Sequence, residues 1–289
     1  VGGGTVTRPT VKDLTGKPHL SYSSLDTFQQ CGEKYRLSKV YQVPQEQAWW
    51  CVGGSAVHKA TELYALGDDR PYAKIWADAW VEETEKLDMS KPVRVAGRAT
   101  KYWPNKEDAQ WWDAHGLEML VDYARWRKES RWELLTDGEN KFIEWEFTLT
   151  LPNPSTAEDA SPELVVQGYV DRVFVTPDGE VVVCDIKTGS REPASSTQLG
   201  IYAAGLRQQG NINPAVGTYF MGRKGDVGQM RSLLHYTDDM LAYWLSMFED
   251  SVRSERFMPH VTSMCQTCTV APSCYAVGGK PPYNLPFVQ

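Results

Sequence analysis

The run Val181-Val182-Val183-Cys184-Asp185-Ile186-Lys187 follows a Pro177-Asp178-Gly179 turn and limits what this chain can fold into. A strand this apolar belongs in the middle of a sheet, covered on both faces by other elements. Strand side chains alternate, so Asp185 and Lys187 project from one face while Cys184 and Ile186 enter the opposite layer. Charged groups at the end of a buried strand need partners or a chemical task. Taken alone, Asp171-Arg172 and Asp185 with Lys187 also read as ordinary strand charges paired across a hairpin.

The segments around this strand fix the rest of the architecture. Before residue 130 the apolar residues recur at helical spacing. Ser23 or Ser24 is expected to cap a helix carrying Leu25, Phe28, Cys31 and Tyr35, with Asp26 in capping-box register. A second helix is expected over 53–66 with His58 near its opening, and others over 72–87 and 106–130. The period then changes: Ile143, Trp145, Phe147, Leu149 and Leu151 alternate with Glu144, Glu146, Thr148 and Thr150, giving a strand with one buried and one polar face. Strands follow at 164–176, 180–187, 215–221 and 229–236, and helices at 194–209 and 238–256. The chain divides into a flexible leader at 1–20, a helical region at 21–140, a core at 141–256 and a cysteine-rich segment at 257–289 that packs back on the N-terminal helices. No apolar run approaches the ~18 residues of a membrane span. The start lacks the regions of a secretory signal, so a cytoplasmic setting is expected.

Two carboxylates converge if the hairpin places Asp171, in Gly168-Tyr169-Val170-Asp171-Arg172, opposite the Asp185 region. Such a pair suits a hard divalent cation, with Lys187 placed to stabilise charge on a phosphate or orient a water. Gln198 and Tyr202, at i and i+4 on a helix, present an amide and a phenol from one face. His58 is a candidate metal ligand, although Glu62 at i+4 offers it an ordinary salt-bridge partner.

Taken in order, Ser21-Tyr22-Ser23-Ser24-Leu25-Asp26-Thr27-Phe28, Gly54-Ser55-Ala56-Val57-His58, Gly168-Tyr169-Val170-Asp171-Arg172, Asp185-Ile186-Lys187-Thr188-Gly189 and Gln198-Leu199-Gly200-Ile201-Tyr202 resemble the RecB-like branch of the PD-(D/E)xK nuclease superfamily. The resemblance implies an α/β fold: a restriction-endonuclease-like mixed β-sheet core flanked by helices. It implies that His58, Asp171, Asp185 and the Ile186 carbonyl hold Mg²⁺ or Mn²⁺, that Lys187 assists the attacking water, and that Gln198 and Tyr202 shape the site.

Cys265-Gln266-Thr267-Cys268 followed by Cys274 is too compact for unrelated thiols. The fourth ligand is Cys31, Cys51 or Cys184 on spacing alone. A distant N-terminal cysteine with this C-terminal triplet resembles the iron–sulfur variant of the same nucleases, seen in AddB-type helicase-nuclease subunits and CRISPR adaptation nucleases. That resemblance implies a [4Fe-4S] cluster on Cys31, Cys265, Cys268 and Cys274. A zinc site or free thiols are the alternatives.

The net charge of −7 argues against a uniformly basic nucleic-acid-coating surface. Local groups remain: Lys34, Arg36 and Lys39; Arg94, Arg98 and Lys101; Arg125, Arg127, Lys128 and Arg131; Arg223 and Lys224. Trp49, Trp50, Trp103, Trp111 and Trp112 lie among them, and a groove of this kind suits a single strand. The expected activity is exonucleolytic hydrolysis of DNA with single-stranded ends. No Walker A sequence is found, so a helicase or recombination protein would be a separate partner. A CRISPR adaptation subunit and a non-catalytic iron–sulfur scaffold are the competing readings.

Overall fold

The computed structural model describes residues 8–138 and 140–285. The part of the expected leader at 1–7 lies outside them. From residue 8 onward the arm is tied down. Arg8 forms an ion pair with Asp159 at 2.6 Å, and a reciprocal Thr10–Asp13 capping box opens α1 (Val11–Thr15). The flexible reading of 8–20 missed this because a five-residue helix has no apolar period to detect.

The helices α2 (Tyr22–Gln30), α3 (Gly32–Tyr35), α4 (Trp49–Leu66), α5 (Tyr72–Thr84) and α6 (Ala109–Ser130) follow. Ser21, not Ser23 or Ser24, caps α2 by accepting from the Ser24 N–H, and Asp26 instead accepts from Gln30 one turn on. After α6 come β1 (Glu133–Leu134), β2 (Thr136–Asp137), β3 (Asn140–Lys141), β4 (Ile143–Pro152), β5 (Glu163–Val175), β6 (Val181–Lys187), α7 (Thr197–Gln209), β7 (Val216–Met221), β8 (Asp226–Val227), β9 (Arg231–Ser232) and α8 (Asp238–Arg253).

Seven strands form one mixed sheet in the order β1-β5-β6-β7-β8, with β4 also on β5 and β9 on β7. Strand β6 is antiparallel to β5 and parallel to β7, with α7 as the crossover between them. The expected fold class, a mixed sheet flanked by helices, is the one observed. Only Arg231 and Ser232 pair where a strand was expected over 229–236, which leaves a short edge.

The described residues form two compact units. One contains Glu46–Phe147 and Tyr169–His235; the other draws on Val1–Gln45, Thr148–Gly168 and Tyr236–Gln289. In the first, Ala56 and Val57 of α4, Trp76 of α5 and Leu120 and Tyr123 of α6 pack with Phe174, Cys184, Ile186 and Phe220 of the sheet. This layer receives Cys184 and Ile186, which leaves Asp185 on the other face, as strand alternation requires. In the second, Phe28, Tyr35, Phe248 and Phe257 form an aromatic cluster with centroids 5.2–6.4 Å apart for the contacts made by Phe28.

Helix α4 begins four residues before the expected start, so His58 stands half-way along it and not at its opening. Gly53 of α4 and Gly116 of α6 are packing positions. A Cβ on Gly53 would lie 2.0 Å from Cε3 of buried Trp112, and one on Gly116 would lie 2.0 Å from Cη2 of Trp76.

Candidate active site

The site is assembled from α4, β4, β5, β6 and α7. The β5–β6 register pairs Arg172 with Cys184, which brings Asp171 and Asp185 to adjacent positions at the next step. Asp171 is 6% exposed and accepts the Ile186 N–H through Oδ2 at 3.0 Å. His58 Nδ1 lies 3.3 Å from the same oxygen, and its ring also hydrogen-bonds the Ile186 main chain. Burial holds the His58 pKa below its ordinary value against the opposing pull of Asp171. A neutral imidazole is the form that binds metals.

Asp185 is fully buried. Gln198 Nε2 donates to its Oδ1 at 2.6 Å, and Lys187 Nζ lies 2.6 Å from its Oδ2. Gln198 Oε1 accepts from Lys187 Nζ at 2.9 Å, and Gln198 Nε2 also donates to the Tyr202 hydroxyl at 2.8 Å. One amide thus joins the carboxylate, the amine and the phenol. Burial first, and then the charge of Asp171, push the Asp185 carboxyl well above the carboxylate range, while Lys187 acts the other way.

Glu144 was missed by the sequence reading, which put it on the polar face of β4. Its backbone is left-handed, with φ 44°, and this breaks the alternation and redirects the side chain. Arg172, fully buried, donates from Nη1 to Glu144 Oε1 at 3.1 Å. Burial, and then Asp171, raise the Glu144 carboxyl. Ligand atoms of His58, Glu144 and Asp171 all lie within 4.8 Å of one another. An open cleft of about 610 Å³ meets this group, lined by His58, Lys59, Glu62, Glu144 and Tyr169 among others. The carboxylates of Glu144, Asp171 and Asp185 crowded beside His58 fit a divalent cation: carboxylate oxygens are hard donors, and the crowded negative charge is what a cation offsets.

Cys31, Cys265, Cys268 and Cys274 lie in the other unit. The His260 N–H donates to Cys31 Sγ at 3.3 Å and the Thr262 N–H to Cys265 Sγ at 3.5 Å. Cys268 and Cys274 pack against Leu37, Val43 and Val270, and Cys274 is within electrostatic reach of Cys31. None of them is in a disulfide, nor is Cys184, buried in the core, or Cys51, exposed on α4.

Several residues expected to grip DNA are used internally. Arg94 pairs with Glu46 at 2.8 Å, Arg125 with Asp122 at 2.7 Å and Arg223 with Glu107 at 2.9 Å. Arg127 donates to the Trp132 carbonyl and lies over Phe174, while Arg36 lies 3.7 Å from the Tyr283 ring centre. Trp111 and Trp112 are buried, and Trp49 stacks on Trp80. Arg36, Arg127 and Arg223 serve packing, each lying over an aromatic ring, because a long basic side chain covers apolar surface as well as placing charge.

A family profile described as the PD-(D/E)XK nuclease superfamily matches residues 19–275. The chain belongs to this superfamily. It is 26% identical to the Gene 69 proteins of Mycobacterium phages D29 and L5, over 89% of this chain and 96% of each relative. Among solved structures, a candidate exonuclease from Eubacterium rectale covers 86% of both chains at 11% identity with a TM-score of 0.41. No helix among the described residues is long and apolar enough to cross a membrane.

Proposed function

We propose that this nuclease is a Mg²⁺- or Mn²⁺-dependent DNA exonuclease acting on single-stranded ends. The observation that carries the reading is the gathering of His58, Glu144 and Asp171 within ligand range of one another, beside the Lys187–Asp185–Gln198 chain. His58, Glu144, Asp171, Asp185 and the Ile186 carbonyl would hold the metal, which supplies Lewis-acid activation of water and stabilises charge on the phosphate. Lys187 holds an ammonium at the edge of the carboxylates, where it orients the attacking water. Gln198 keeps that ammonium and Asp185 in register, and Tyr202 fixes the amide of Gln198. Full-length similarity to mycobacteriophage proteins supports a place in phage DNA metabolism, in recombination or repair, over CRISPR adaptation.

The test is digestion of end-labelled single and double strands with Mg²⁺. Asp185→Ala and Lys187→Ala should each lower the rate by about a hundredfold or more while the fold is kept. Undiminished cleavage by both variants would remove the site, and a wild type that binds DNA without cutting it would favour the scaffold reading.

The [4Fe-4S] cluster on Cys31, Cys265, Cys268 and Cys274 belongs to the same proposal. Main-chain N–H groups donate to the sulfurs of Cys31 and Cys265, an environment that suits cluster thiolates. Anaerobic purification should yield iron and sulfide with absorbance near ~400 nm, lost in Cys31→Ser. Retention of that absorbance in Cys31→Ser would overturn the assignment.

A further inference from the structure

With Arg36, Arg94, Arg125, Arg127 and Arg223 engaged internally, positive charge without a carboxylate partner gathers in a hollow of the cysteine-bearing unit. The hollow measures about 350 Å³ and is lined by Lys17, His19, Ser21, Ser23, Ser38 and Lys39, among others. No Asp or Glu is among the described residues that line it. Lys17 follows Gly16, whose left-handed backbone (φ 75°) ends α1 and turns the chain toward α2. Lys39 comes from the π-helical turn after α3, which faces the same space.

The electrostatics of these groups run one way. Burial, and then Lys17 and Lys34, hold the Lys39 ammonium below its ordinary pKa. Burial and Lys17 do the same to His19. Like charges drawn together in a partly buried hollow cost free energy unless an anion joins them, and in a chain of net charge −7 a carboxylate partner would be easy to supply. Ser21 and Ser23 place hydroxyls at the start of α2, their Oγ atoms 3.1 Å apart, with Ser21 Oγ donating to Ser24 Oγ.

We propose that this hollow binds a phosphate group of a nucleic-acid strand. Compact ammonium groups with adjacent hydroxyls match a tetrahedral oxyanion bearing several acceptor oxygens. Placing that phosphate on a strand rests on the nuclease reading; recognition of the phosphate itself does not.

The test is anisotropy of a fluorescein-labelled single-stranded oligonucleotide across a salt series, with magnesium left out so that no turnover occurs. Loss of this phosphate contact in Lys17→Gln/Lys39→Gln should raise Kd about tenfold and flatten the slope of log Kd against log salt by about 0.7. Lys17→Arg/Lys39→Arg should retain wild-type binding, and Ser38→Asp should weaken it, which separates charge from any fault in folding. An unchanged Kd and slope in the glutamine variant would overturn the proposal. So would inorganic phosphate raising the melting temperature of wild type alone while strand binding is the same in both, since the site would then take free phosphate. Failure of the nuclease reading shows differently, as absence of cleavage when magnesium is restored, with the binding difference intact.

Discussion

Glu144 shows what a single backbone angle can hide. Strand alternation sends residues 144, 146, 148 and 150 to the polar side, and for Glu146 and Thr148 the exposed positions agree. The left-handed turn at Glu144 overrides that period locally, and nothing in the side-chain pattern announces it. Asp171, Asp185 and Lys187, by contrast, were legible because their face follows from period two and their adjacency from a short hairpin. Glu144→Gln keeps the shape but removes a charge, and should weaken metal activation by at least the ~10–100-fold of an outer-shell group, read from the Mg²⁺ midpoint of cleavage. A pH effect belongs to the same residues. Burial and Asp171 raise the carboxyls of Glu144 to about 7 and Asp185 to about 8. A carboxyl with a folded pKa above its unfolded ~4 binds protons more tightly when folded, so its contribution to metal-free stability is fullest below ~4 and is lost as pH rises through the folded value. Thermal melts without metal should therefore fall between about pH 5 and pH 8.5, and added Mg²⁺ should raise the melting temperature more at the upper end.

Among the elements, the central strands and long helices could be read from the chain, while their ends could not. Gly53 and Gly54 look like a helix breaker, yet they lie inside α4 because the neighbouring helix brings Trp112 against Gly53. Tertiary contact outweighs the intrinsic cost of glycine, ~1 kcal/mol in a helix interior. Gly53→Ala improves helix propensity but places a methyl carbon where the buried Trp112 ring already lies. The expected outcome in denaturant melts is a net loss of about 1–3 kcal/mol, opposite in sign to the propensity change. Because His58 follows on the same helix, cleavage should fall along with stability. A stabilised Gly53→Ala protein would show that α4 and α6 separate easily.

At the scale of the whole molecule, the order of motifs along the chain was readable, whereas the grouping of Thr148–Gly168 with segments from both ends of the sequence was not. The unit carrying Cys31, Cys265, Cys268 and Cys274 draws on all three stretches. Arg8 binds Asp159 and Asp250, Tyr283 donates to the Glu33 carboxylate, and His260 caps Cys31, contacts that no local pattern encodes. Cys31→Ser and Cys265→Ser should each lower the melting temperature of the anaerobic protein by at least about 2–4 °C, the shift ~1 kcal/mol makes in a chain of this size. This arrangement also bears on how the protein is made. The unit built from Glu46–Phe147 and Tyr169–His235 has all its residues once the ribosome passes His235, whereas the segment before Glu46 must wait for those of its partners that follow Tyr236. A stop codon placed after His235 would therefore strand α1, α2 and α3, and chaperone demand should be concentrated on the segment that carries them.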